Sequence, residues 1–167
     1  MATDIHAEIA RYQAALVGVA YRITNDVECA RDIVQDTYVT ALEKTGEFRA
    51  LSSLKTYLYR IVINKSIDAG RRRVRWLGML DAKSVELANS LHTGEDDADM
   101  GAIEVVRTAL DKIPETFRIP FLLSEVDGMS YEEIAETLRI SLNTVRSRIF
   151  RCREKVRKKI TKAGWLV

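Results

Sequence analysis

Apolar side chains recur every three or four positions from Ile5 through Ile9, Tyr12, Leu16, Val19 and Ile23, which predicts one helical stripe. The pattern breaks at Thr24, Asn25 and Asp26, where Asn25 or Asp26 can cap a second helix by accepting a backbone N–H. Val27, Ala30, Val34, Tyr38 and Ala41 form the stripe of that helix. Gly46 is expected to stop it, because glycine tolerates the left-handed conformation at a helix end. A third helix follows Ser52 and Ser53, with Leu54, Tyr57, Leu58, Ile61, Val62 and Ile67 as its apolar positions. Three such helices can enclose one small core. Periodicity resumes at Ile103, Val106, Leu110 and Ile113 and runs on through Phe117, Phe121 and Leu122. Pro120 lies inside that stretch and should kink the helix or shift its start. No alternating β-branched run bounded by turn residues has useful length, so the expected fold class is all-α.

The last third of the chain carries the sharpest local signals. Ser130 followed by Glu133 fits the capping box, in which the serine hydroxyl accepts from the N3 amide and the glutamate reaches back to the N-cap amide. Tyr131, Ile134, Ala135 and Leu138 then mark a short amphipathic helix, and Ser141 opens another after Arg139 and Ile140. Two helices joined so tightly read as a helix-turn-helix. Arg139 stands in the turn and would be strained if that position requires positive φ. In the second helix Val145, Ile149, Cys152, Val156 and Ile160 share a narrow arc, while Asn143, Ser147, Phe150 and Glu154 lie opposite.

Charge changes this picture through its distribution, not its total. The chain has 26 Lys and Arg against 24 Asp and Glu, and the net +2 names no partner. Yet nine bases (Arg146, Arg148, Arg151, Arg153, Lys155, Arg157, Lys158, Lys159 and Lys162) fall between Leu142 and Ala163, opposed only by Glu154. That is the footprint of a DNA-docking helix, since releasing counterions from phosphates drives association. Its arginines can pair bidentately with guanine, and an outward Phe150 can meet a thymine methyl. The segment from Asp81 to Glu104 is the reverse, with seven acids against Lys83 alone. Such a run repels itself and nucleic acid and reads as a linker. The expected organisation is two small helical domains, residues 1–78 and 101–167, joined by an acidic linker over 79–100.

Candidate chemistry narrows the function class further. Cys29 and Cys152 stand without a CxxC, and His6 and His92 are isolated, so no disulfide framework and no metal site can be built from local spacing. No nucleophile sits beside a histidine and no phosphate-cradling glycine loop occurs. An enzyme, a catalytic residue, a cofactor and a small-molecule substrate are therefore not expected. No apolar run approaches the roughly 20 residues that span a bilayer, and the start lacks a signal peptide's basic and apolar regions; membrane insertion is not expected, and the location is expected to be cytoplasmic.

The run LSEVDGMSYEEIAETLRISLNTVRSRIFRCREKVRKK, Leu123 to Lys159, resembles region 4 of bacterial sigma factors of the extracytoplasmic-function group. ARDIVQDTYVTALEK, Ala30 to Lys44, resembles region 2.2, and FRALSSLKTYLYRIVINKSIDAGRRR, Phe48 to Arg73, resembles regions 2.3 and 2.4. The resemblance covers nearly the whole chain. It implies a subunit that binds core RNA polymerase at the β′ clamp helices and the β flap, recognises promoter DNA and is held by an anti-sigma factor. The positions matching the clamp-helix contact are Asp32, Gln35 and Asp36, which the apolar stripe leaves on the outside of their helix. Phe48 to Ser53 correspond to the loop that captures a flipped minus-10 base, which makes Phe48, Arg49, Ser52 and Ser53 site residues. Tyr57 stands where the group commonly has Trp. Asn64 matches a polar position beside the strand, while Arg60, Lys65, Arg71, Arg72, Arg73 and Arg75 supply phosphate contacts. Arg60 equally fits an internal salt bridge. Minus-35 recognition falls to Asn143, Thr144, Arg146, Ser147, Phe150 and Arg151. The linker would pass through the polymerase's RNA path.

Two departures from the group's pattern, Arg139 and Asn143 where Gly is common, bear on promoter choice more than on function class. The competing reading is a stand-alone helix-turn-helix regulator, which would normally dimerise on two half-sites. No stretch resembles a dimerisation element, and the amino-terminal domain would have no task.

Overall fold

The computed structural model describes residues 7, 10–43, 53–77, 100–162 and 164. It contains seven helices and no strand among them: α1 (Gln13–Thr24), α2 (Val27–Glu43), α3 (Leu54–Leu77), α4 (Met100–Asp111), α5 (Glu115–Glu125), α6 (Tyr131–Leu138) and α7 (Leu142–Lys162). The chain divides into two compact units, Met1–Thr93 and Gly94–Val167. The expected linker lies almost wholly outside the described residues, as do Gly46 and the stretch Phe48 to Ser52.

In the first unit α1, α2 and α3 pack mutually. Leu16, Val19 and Ala20 of α1 meet Ala30, Ile33 and Val34 of α2 and Leu58, Val62 and Ile63 of α3 in the buried core. Asn25 ends α1 at φ 54°, and the Asp26 carboxylate accepts the Cys29 N–H at 3.0 Å, so Asp26 is the residue that caps α2. Such a cap contributes about 1 kcal/mol. The predicted first helix began at Ile5; Ala7 and Ala10 are helical, a turn at Arg11 and Tyr12 interrupts the run, and α1 continues it from Gln13, while Ile5 and Ile9 lie outside the described residues.

Two predicted stripes need correcting. Val27 is 46% exposed at the first turn of α2, and Ile33 and Thr37 are buried in addition to Ala30, Val34 and Ala41. Thr37 fits an apolar site because its hydroxyl donates to the Ile33 carbonyl at 2.7 Å, which satisfies the polar group locally. On α3 the buried set is Thr56, Leu58, Tyr59, Val62, Ile63 and Ser66, with Leu54, Tyr57, Ile61 and Ile67 half-exposed. The face is rotated from the expected one because both α1 and α2 lie against this helix, and each contact selects its own neighbours.

In the second unit α7 is the element on which α4, α5 and α6 pack. Val145, Ile149, Cys152 and Val156 are its buried positions, and Ile113, Phe117, Phe121 and Ile160 join the cluster around Cys152 and Val156. Ile103, expected in the core, is 64% exposed; Ala109 and Ile113 carry the burial there. Pro114 provides the N-cap of α5, and the helix runs through Pro120 without a later start. The proline leaves the Thr116 carbonyl without its helical donor, and Pro120 itself is buried. Arg118, also buried, is held by Asp111 at 3.2 Å, since an unpaired charge in that position would be strongly destabilising.

Candidate nucleic-acid interface

The helix-turn-helix forms as its caps require. The Ser130 N–H donates to the Glu133 carboxylate at 2.8 Å, and the Glu133 N–H donates to the Ser130 hydroxyl at 3.1 Å, so both halves of the capping box are made. Arg139 ends α6 in the left-handed region, φ 54° and ψ 47°. Ser141 then caps α7 by accepting the Thr144 N–H at 3.1 Å. The Thr144 hydroxyl lies 2.7 Å from the Ser141 hydroxyl, so Thr144 sits within the cap and is half-buried.

Opposite the buried stripe of α7, Asn143, Arg146, Ser147, Phe150 and Arg151 are all exposed. Phe150 leaves 63% of its surface open, although an aromatic of that size would normally be packed. The Ser147 hydroxyl donates to the Thr144 carbonyl at 3.2 Å and keeps its acceptor capacity for a ligand. Arg146 and Arg151 make no ion pair among the described residues. Three of the other bases of α7 are directed inward or along the helix. Arg153 pairs with Glu125 at 2.6 Å, Arg157 with Glu154 at 3.9 Å, and the Lys155 ammonium stands 5.8 Å above the Phe117 ring.

The first unit presents a second polar face. Tyr57, Arg60, Asn64, Arg71 and Arg75 follow spacings of three, four, seven and four along α3, which places them within an arc of about 60° over a rise of roughly 27 Å. This arc is opposite the buried set Leu58, Tyr59, Val62, Ile63 and Ser66. Asn64, Arg71, Arg72 and Arg75 are exposed, and Tyr57 and Arg60 half-buried. Ser53 is taken up by the helix start, its hydroxyl accepting the Thr56 N–H at 3.2 Å. Arg73 turns the other way, to Asp26 at 3.9 Å.

Asp32, Gln35 and Asp36 are exposed on α2 at i, i+3 and i+4. Sequence reasoning missed their continuation: Val39, at i+7, is 55% exposed and adds an apolar patch to an otherwise acidic strip. The i+7 spacing was the available signal. Asp36 also meets Lys65 at 3.6 Å, which brings together residues singled out for two different partners. A further feature without a sequence signature is a groove of about 590 Å³ between α4 and α7, lined by Glu104, Val105, Ala109, Lys112, Lys159 and Lys162 among others.

Burial pushes the Cys152 thiol up to about 11. It also raises Cys29, helped by Asp26 and Asp32. Both cysteines are free. Among the described residues no cluster of His, Cys, Asp and Glu can hold a metal ion, and no helix is long and apolar enough to cross a membrane.

Comparison with known proteins adds the context for these faces. The family model for sigma-70 region 2 matches residues 9–76, and that for sigma-70 region 4 matches residues 103–156. The RNA polymerase sigma-H factor of Pseudomonas aeruginosa is 32% identical over 161 residues, covering 90% of this chain and 82% of the relative. The ECF RNA polymerase sigma-E factor of Haemophilus influenzae is 33% identical over 163 residues, covering 91% and 85%. Among solved structures, the sigma factor RpoE in complex with the anti-sigma factor NepR from Bartonella quintana superposes with a TM-score of 0.74 at 24% identity, over 95% of this chain and 97% of that one. CnrH in complex with the cytosolic domain of CnrY gives 0.69 at 27% identity, over 94% and 87%.

Proposed function

The chain belongs to the extracytoplasmic-function group of RNA polymerase sigma factors and directs transcription initiation, and we propose that it divides promoter recognition between its two helical units. The single observation that carries this reading is the outward face of α7. A capped helix in a helix-turn-helix leaves Asn143, Arg146, Ser147, Phe150 and Arg151 exposed while its other side is fully packed. Side chains of this kind suit base edges in the major groove, and the second helix of such a motif docks there. Region 4, residues 101–167, thus reads the minus-35 element, with Thr144 acting through the N-cap.

Region 2, residues 1–78, binds the β′ clamp helices through Asp32, Gln35 and Asp36 and handles the minus-10 element. The arc Tyr57, Arg60, Asn64, Arg71 and Arg75 supports a path for the displaced strand, because stacking and backbone neutralisation in one groove are what single-stranded DNA requires. Lys65 and Arg72 flank this arc. Phe48, Arg49, Ser52 and Ser53 supply the loop that takes the flipped base. The groove between α4 and α7, which Lys112, Lys159 and Lys162 help to line, suits the β flap, and residues 79–100 connect the two regions. An anti-sigma factor is a further partner, as for the structural relative RpoE in complex with NepR. The protein acts in the cytoplasm and has no active site of its own; the polymerase performs the chemistry.

Purified bacterial core polymerase combined with this protein on genomic promoter fragments should produce start sites that core enzyme alone does not. Folded protein that produces none would overturn the reading. Tight, specific binding to duplex DNA without core enzyme would favour the stand-alone regulator instead.

A further inference from the structure

Four residues among those described have positive φ: Gly128 and Gly164, which lack the Cβ that makes it unfavourable, Asn25, which tolerates it, and Arg139. Only Arg139 has a long side chain with no means of relieving the strain locally. Its conformation is held by the turn itself. The Arg139 N–H donates to the Glu136 carbonyl at 3.3 Å and the Ile140 N–H to the Ala135 carbonyl at 3.1 Å. Two residues later Ser141 caps α7. The Arg139 side chain is exposed, so packing does not account for its presence at a position where glycine would be free of strain. Strain that persists without a packing reason concentrates at functional positions.

We propose that Arg139 is a DNA-phosphate contact of the minus-35 complex, placed beside the entrance of the recognition helix by the left-handed turn. A helix that enters the groove by its N-terminal residues carries the segment before its N-cap along the phosphates at the groove edge, where contacts fix register and carry no sequence information. The inference rests on the sigma-factor reading above and adds a residue to it. The rival explanation is local: a cation at the C-terminus of α6 is favoured by the helix dipole, and this would require no DNA.

The test uses holoenzyme reconstituted from core polymerase and the full chain, on a promoter fragment from which it initiates. Arg139→Gly should raise the melting temperature of the free protein. It should also lower promoter affinity several-fold and make the slope of log K against log salt shallower by about 0.9, the loss of one phosphate contact. Arg139→Lys should keep the slope. Arg139→Asn, which also suits the left-handed turn, should match Arg139→Gly in binding. Unchanged affinity and slope in Arg139→Gly and Arg139→Asn would overturn the proposal and leave the dipole explanation. Failure of the unsubstituted holoenzyme to bind any promoter would overturn the sigma-factor reading itself and this inference with it.

Discussion

The Arg153 guanidinium donates to the Glu125 carboxylate at 2.6 Å across 28 residues of chain. One cation of α7 therefore ties the last residue of α5 to the middle of α7. It belongs to the scaffold of the helix-turn-helix and not to the exposed set from Asn143 to Arg151 opposite the buried stripe. Both partners are partly exposed, so the pair contributes up to about 1 kcal/mol. Arg153→Ala should lower the thermal midpoint of the protein modestly while changing minus-35 affinity far less than substitutions at Arg146 or Arg151. Thermal unfolding and promoter binding, measured side by side, check this.

Arg146→Ala and Arg151→Ala should each weaken minus-35 recognition by about 1–3 kcal/mol if the side chains read bases. Comparison of the native element with scrambled elements separates the two kinds of contact. Equal losses on both would reassign these arginines to phosphates.

Asp32→Arg or Gln35→Arg should abolish binding to core polymerase with the fold intact, because both side chains are exposed on α2 and neither takes part in the core. Co-purification with core enzyme, together with an unchanged far-ultraviolet circular dichroism spectrum, is the measurement. Retained binding by either variant would remove this face from the docking surface.

Cys152 predicts a pH dependence. Burial holds its thiol up to about 11, against the opposing pull of Arg118 and Lys155. A folded-state pKa above the unfolded one means that stability is complete below the unfolded value of 9.0 and declines as pH rises through the folded one. The denaturation midpoint of the unsubstituted protein should fall more steeply between pH 9 and about 11 than that of Cys152→Ala. Parallel slopes would mean that the thiol ionises equally in both states.

Much of the candidate site was legible because it depends on neighbours in sequence. The capping box at Ser130 and Glu133, the cap at Ser141 and the exposed set from Asn143 to Arg151 all follow from spacings within one or two helical turns. The turn at Arg139 was legible for the same reason, whereas the sequence leaves its positive φ open and the structure sets it. Misplaced positions arose where a helix meets two partners or ends near a surface: Val27 at the first turn of α2, Ile103 near the start of α4, and the rotated face of α3. An amphipathic pattern records that a residue is apolar, but burial at helix ends depends on whether another element reaches that far.

By itself the sequence determined the helices, the helix-turn-helix, the segregation of charge and the family, because each is written in local periodicity, capping chemistry or motif order. Only the tertiary structure decided which charges remain available for a partner. Arg153 is held by Glu125, Arg73 by Asp26 and Lys65 by Asp36, and each acid lies on a different helix or turn from its base. Such pairings are set by how helices pack, so no count of charges along the chain can show them.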